Sequence, residues 1–346
     1  MNVADDDPEA DWTAPGVYRC APGVHRIPLP LPSDGLRAVN VYAVADREGW
    51  TLIDAGWALT ESRDRLAAAL GALGSGFGDV RRFLVTHAHR DHYTLAVALR
   101  REFGTRVALG AGERPSIEVL DAPEHVSGEV HVARLLRAGA PALARVIERS
   151  APQSRRSDWT PPDEWLQDGV GIDVGAGSGS RRLRAIATPG HTRGHVVFAD
   201  EAAELLFAGD HVLPRITPSI GLEAAPPPSP LADFLASLEL MTRRPDAALL
   251  PAHGPVGRRV HERVDELLAH HAKRLDATLA AVHNGCSTAH EVAAVLPWTR
   301  RDRRLDELDP FNAMLAVLET AAHLDVLATR GGVTASTVDG VLHYRS

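Results

Sequence analysis

The chain has 346 residues, 45% hydrophobic and 24% charged, enough to bury one full core and a second, unequal one. Its net charge of -8, from 37 basic and 45 acidic residues, excludes a global positive field that would hold a polyanion, while leaving room for a local basic patch. Two cysteines, Cys20 and Cys286, exclude a disulfide framework and fit a reducing compartment.

The first stretch, "MNVADDDPEADW", is acidic and lacks the basic and apolar regions of an export signal. No uninterrupted apolar run reads as long enough to span a bilayer, so the expected location is the cytoplasm. Residues 17 to 110 alternate strand-like runs ("VNVYAV", "WTLIDAG", "RRFLVTH", "RVALG") with a helical stretch at about 60 to 73, which is α/β texture. Residues 111 to 166 lose the strand signals and predict a helical insertion, broken at Pro141 and Pro152. Strands return in "RRLRAIATPG", "HVVFAD", "ELLFAGD" and "DAALLPAHG". The run "GAGSGS" at 175 to 180 lacks the Lys-Ser/Thr ending of a phosphate-binding loop and reads as a hairpin turn; "AAPPPSP" at 224 to 230 reads as a semi-rigid surface loop. From Val256 apolar residues step by three or four along a long amphipathic helix. Two further helices and two short strands follow, so residues 256 to 346 look like a small winged-helix-like domain after a catalytic domain of residues 1 to 255.

The chemistry concentrates in "RRFLVTHAHRDHYTLA", which places His87, His89, Asp91 and His92 within six positions. In an extended segment residues two apart share a side, so His87 and His89 can converge on one metal, while Asp91 and His92 in the following turn reach a second point. Imidazole with carboxylate suits zinc and its first-row neighbours better than magnesium or calcium. Three later pieces repeat the form of an apolar strand followed by a ligand-type side chain: His191, Asp210 and His253. Seven candidate ligands make two sites.

With "THAHRDH", "TPGHTRGH", "FAGD" and "PAHG" in this order, the chain resembles the metallo-β-lactamase superfamily over roughly residues 17 to 255. The resemblance implies an αββα sandwich with two divalent metal ions at one edge, zinc favoured and iron or manganese open. It implies that His87, His89 and His191 hold the first ion, that Asp91, His92 and His253 hold the second, and that Asp210 bridges them. Asp54 in "TLIDAG" matches the family's early aspartate, a support and not a ligand. An Asp, not a Cys, at position 210 resembles the broad hydrolase branches and argues against penicillinase activity. Tyr93 stands where hydroxyacylglutathione hydrolases and many lactonases continue with small residues.

His195 and His211 read as supports for an already complete ligand set. His270 and His271, adjacent on a helix, do not face the same way and read as ordinary helix residues. Arg114, Arg134, Arg137, Arg145 and Arg149 would select an anionic substrate or lie on solvated helix faces. The mechanism expected of a metal pair is a metal-bound hydroxide with Asp91 as proton acceptor and donor. The leading expectation is a hydrolase of a small-molecule ester, thioester or lactone, with Trp159 and Trp165 near an apolar pocket. Weaker alternatives are an RNA phosphodiesterase, a mononuclear iron persulfide dioxygenase and a non-enzymatic winged-helix DNA-binding protein. Nucleic-acid and membrane partners are not expected; a homo-oligomer is open.

Overall fold

The period-two alternation of "VNVYAV" becomes a strand buried on both faces, which requires a layer on each side of it. A computed structural model describes residues 3–32, 35–47, 49–123, 126, 128–150, 156–175, 180–299 and 301–346. Among them β1 (Val3–Asp5), β2 (Val17–Ala21), β3 (Val24–Pro30), β4 (Ala38–Asp46), β5 (Gly49–Ile53), β6 (Val80–Val85), β7 (Arg106–Gly110) and β8 (Glu164–Leu166) form one sheet in sequence order. Strands β2 to β5 pair antiparallel, and β5 to β8 pair parallel. The switch follows the connections, because α1 (Thr60–Ala72) and α2 (Arg90–Phe103) return the chain to the same end before β6 and β7. A second sheet runs in the order β13, β12, β11, β10, β9, from β9 (Gly171–Val174), β10 (Arg181–Ala187), β11 (Val196–Asp200), β12 (Leu205–Gly209) and β13 (Ala248–Pro251).

Side-chain alternation builds the layers. On β4, Val39, Val41 and Ala43 join a core with Leu66, Leu70, Leu95 and Leu99 of α1 and α2. Tyr42 and Val44 point the other way and meet Phe198 and Phe207 of the second sheet. On β11, Val197 and Ala199 turn outward onto Leu231, Phe234 and Leu238 of α6 (Pro230–Thr242). The order is helix, sheet, sheet, helix.

The expected insertion contains α3 (Arg114–Asp121), α4 (Glu129–Arg137) and α5 (Pro141–Ser150). Pro141 opens α5, where its fixed φ and missing N–H cost nothing; Pro152 and most of "GAGSGS" lie outside the described residues. Two expectations for this stretch need correction. A strand, β8, closes it and carries Trp165. Trp159 is buried against the Tyr93 ring, centroids 6.3 Å apart, and belongs to the core beneath the first sheet.

The long C-terminal helix starts four residues later than its apolar pattern suggests: α7 spans Val260–His283. It is followed by α8 (Ala289–Val295), α9 (Pro310–Thr329) and the hairpin β14 (Thr334–Val338) and β15 (Val341–Arg345). A capping box of Thr288 and Glu291 starts α8, and Asp309 with Pro310 starts α9. The expectation that no apolar run could span a bilayer also needs amending. By length and composition α9 would suffice, with a mean hydropathy of 1.3, yet 61% of that stretch is buried inside the protein, as in a core helix. Leu267 and Leu275 of α7 and Val317 and Leu324 of α9 share one apolar cluster with Leu231, Leu235 and Leu238 of α6.

Removing residues 256–346 uncovers that face of α6. The expected outcome is a truncated chain that aggregates or melts well below the full chain, read by size-exclusion chromatography and thermal denaturation.

Candidate metal centre

The donors come from loops and one helix start at a single edge of the sandwich. His87 follows β6, His191 follows β10, Asp210 follows β12 and His253 follows β13, all within four residues of the strand end. His89 is the extended N-cap of α2, with φ -97° and ψ 156°, and Asp91 and His92 lie in the first helical turn. His87 and His89 thus converge as expected, with ring centroids 4.6 Å apart, although β6 has already ended at Val85.

The seven residues assemble into two groups. One donor atom each from His87, His89, His191 and Asp210 lies within 4.8 Å of the others, and the same holds for Asp91, His92 and His253. Asp210 spans both: Oδ2 is 3.4 Å from His191 Nε2, and Oδ1 is 3.3 Å from His253 Nε2 and 3.8 Å from His92 Nε2. Asp91 Oδ2 stands 3.5 Å from His92 Nε2 and 3.4 Å from His253 Nε2.

Each imidazole is held by its outer nitrogen. His87 Nδ1 meets Thr86 Oγ1 at 3.0 Å, and His92 Nδ1 meets Asp54 Oδ2 at 2.9 Å. His89 Nε2–H donates to Leu222 O, His191 Nδ1–H to Ser219 O and His253 Nδ1–H to Ala38 O, at 2.6–2.8 Å. The inner nitrogens His87 Nε2, His92 Nε2 and His253 Nε2, with Asp210 Oδ1, are buried without a hydrogen-bond partner among the described residues. Buried nitrogens left bare while their opposite ends are fixed are what ligation by a metal needs.

Asp54 anchors this arrangement from a strained position. Its φ is 58°, in the left-handed region, and its Oδ1 accepts from Thr86 N–H at 2.8 Å while Oδ2 holds His92. His195 Nδ1 bonds Thr188 Oγ1 at 2.8 Å, and its Nε2 accepts the Asp210 N–H at 3.1 Å, so it sets the backbone of the spanning carboxylate. His211 is buried edge-on against Phe234, 5.3 Å between centroids.

The two groups differ in charge. Burial, and then the neighbouring imidazoles, holds His87 well below its ordinary value, and burial takes His89 down to about 3. In the second group burial also opposes the proton, but Asp91, Asp54 and Asp210 raise His92 and Asp210 with Asp91 raises His253 to about 10. Asp91 is depressed despite burial, by His92 and His253. Burial thus disfavours positive charge on the imidazoles of the first group, while the carboxylates of the second draw it in. Nitrogen and carboxylate donors in this number fit two divalent ions of the zinc type.

Several participating groups carry no mark in the sequence. Backbone carbonyls of Ser219 and Leu222 lie in the covering loop 213–229, which is tied down from elsewhere. Arg263 of α7 donates to Leu213 O at 2.6 Å and to Ile216 O at 2.8 Å, and Arg134 of α4 donates to Gly221 O. Arg134 is thus half-buried, with its guanidinium on the covering loop. Arg114 stacks on Trp165, 4.9 Å from the ring centroid. His270 and His271 do come together, with Glu319, to within 4.8 Å, because the rings, set at 83° to each other, reach further than the helix spacing implies. Arg274, Arg263 and Lys273 bear on His270, and that positive surrounding opposes a cation there.

A family model described as the metallo-beta-lactamase superfamily matches residues 34–253. A metallo-beta-lactamase family protein of Thermus thermophilus is 30% identical, covers 94% of this chain and 99% of its own, and superposes with a TM-score of 0.75. A probable metallo-hydrolase, YqjP, of Bacillus subtilis is 23% identical over 93% of this chain and 96% of its own length. An atrochrysone carboxyl ACP thioesterase of Aspergillus fumigatus is 24% identical over 76% of this chain and 48% of its own.

Equilibration with zinc and removal of free metal should leave about two ions per chain by elemental analysis. Asp210→Ala should retain about one, with an unchanged circular-dichroism spectrum. A second expectation concerns pH. Burial raises Glu223 to about 8 and Glu113 to about 7 from an ordinary 4.5. A carboxyl raised on folding contributes stability that is full below its unfolded pKa and lost as pH climbs through its folded one. Glu223→Gln should flatten the fall in melting temperature between about pH 5 and about pH 9.

Proposed function

The chain belongs to the metallo-β-lactamase superfamily and is a metal-dependent hydrolase, and we propose that it cleaves a small-molecule ester, thioester or lactone with two zinc ions. The observation that carries this reading is the surroundings of the donors. The loop 213–229, whose carbonyls fix His89 and His191, is apolar and proline-rich, with Arg215 its one basic residue and Glu223 buried. A polyanion gains nothing from such a cover, since its affinity comes from phosphate neutralisation. The resemblance to an ACP thioesterase supports an acyl substrate.

When bound, the two ions supply electrophilic polarisation of a carbonyl and acidify water. The remaining work falls to side chains. Asp91, kept ionised by His92 and His253 and 15% exposed, is placed to take a proton from the attacking water and return it to the leaving group. Asp54 and His195 hold His92 and Asp210 in place, and no serine or cysteine nucleophile is required.

The same proposal divides the chain after residue 255 and reads residues 256–346 as a winged-helix-like module. Its order of three helices and a hairpin supports that reading. Its apolar α9 favours a packing role over nucleic-acid binding. A cytoplasmic location, a small-molecule partner and a possible homo-oligomer belong to the proposal too.

The test compares kcat/KM of zinc-loaded protein on ester, thioester, lactone, β-lactam and phosphodiester substrates, with Asp91→Ala as the control for contaminants. Carbonyl substrates should lead, and Asp91→Ala should lower their turnover by at least about 100-fold. RNA cleavage lost in Asp91→Ala, with no carbonyl substrate turned over, overturns the proposal.

A further inference from the structure

Glu113 lies outside every motif named above, yet its carboxyl is completely buried next to the first group of donors. It follows β7 in the segment "GAGE", residues 110–113, and opens onto α3. Thr192 Oγ1, beside His191, donates to Glu113 Oε1. Its other oxygen, Oε2, is buried without a hydrogen-bond partner among the described residues. One buried carboxyl therefore holds the loop that carries His191.

Close packing of the same segments leaves little freedom to do this otherwise. A Cβ on Gly110 would collide with Gly194 O, one on Gly194 with Glu113 N, and one on Gly112 would stand 2.8 Å from Gly194 Cα. The backbones of 110–113 and 192–194 touch because three glycines let them. A second buried carboxyl continues the chain of contacts: Glu223 Oε2 accepts the Arg193 N–H at 3.0 Å, and Glu223 follows Leu222, whose carbonyl holds His89. Three loops are thus joined around His191 by two carboxyls.

We propose that Glu113 is a positioning residue for the first metal ion, clamping the His191 loop to the segment 110–113 through Thr192 Oγ1. Its one hydrogen-bond partner among the described residues, Thr192 Oγ1, donates to it, so the requirement is an accepting oxygen at that place, not a charge. A glutamine supplies such an oxygen and an alanine does not. The inference rests on the metal assignment and is independent of the substrate proposed above.

The experiment measures zinc dissociation constants by competition with a chromogenic chelator, and visible absorption of the cobalt(II)-loaded protein, for wild type, Glu113→Ala, Glu113→Gln and Thr192→Val. Melting temperatures of the metal-free proteins report the fold separately. Thr192→Val keeps the shape and removes one donor, which guards against collapse of the alanine variant. Expected are a loss of about 10- to 100-fold in affinity for one ion in Glu113→Ala, a smaller loss in Thr192→Val, altered cobalt bands in both, and near wild-type behaviour in Glu113→Gln. Wild-type affinity and cobalt bands in both Glu113→Ala and Thr192→Val overturn the clamp. So does a glutamine variant as impaired as alanine. A wild-type protein that retains fewer than two ions overturns the metal assignment along with it.

Discussion

A buried imidazole can present a bare nitrogen inward only if its outward nitrogen is satisfied, because a ring with two unmet ends would flip or draw in water. Five imidazoles obey this rule here, and each outer partner comes from a different place: Thr86, Leu222, Asp54, Ser219 and Ala38. Three of the five partners are backbone carbonyls. The donor geometry is therefore set by the course of the main chain around the sandwich edge as much as by the ligands themselves.

That dependence explains features that look costly in isolation. Asp54 accepts a left-handed backbone so that one carboxylate can hold both Thr86 N–H and His92. Gly190 has a φ of 138°, and a side chain there would run into the backbone of α6 at Phe234, so the turn before His191 admits glycine alone. Tyr93, immediately after His92, sends its ring into the core beneath the first sheet and its hydroxyl to Thr160 O at 2.7 Å, which fixes the start of α2. Strain at Asp54 and close packing at Gly190 serve the donors at the sandwich edge, while the two sheets beneath it are ordinary apolar layers.

The ligand-type residues and the strands that carry them were legible because their signals are local: an apolar run of period two, then a histidine or aspartate within a few positions. Asp54 was legible through the family resemblance, His195 through its nearness to a complete ligand set, and α7 through apolar residues stepping by three or four. What the sequence could not show depends on distance along the chain. Glu113 is one acidic residue after an ordinary strand, and only the touching glycines 110, 112 and 194 reveal its neighbours. Trp159 and Trp165 suggested a pocket by composition, whereas Trp159 is a core residue whose place is decided by Tyr93, 66 positions earlier in the chain. Arg134 looked like one of many basic helix residues until its carbonyl partner, Gly221, was placed beside it. Strand β8 is three residues long, below the length at which periodicity carries information.

Arg263 sits downstream of all seven donors, yet it grips the main chain of the loop whose carbonyls orient His89 and His191. A ribosome delivers the chain from its N-terminus. All seven donors are therefore synthesised before the residue that braces their cover. A polypeptide ending between His253 and Arg263 would carry a full complement of donors without the brace on the loop that orients His89 and His191.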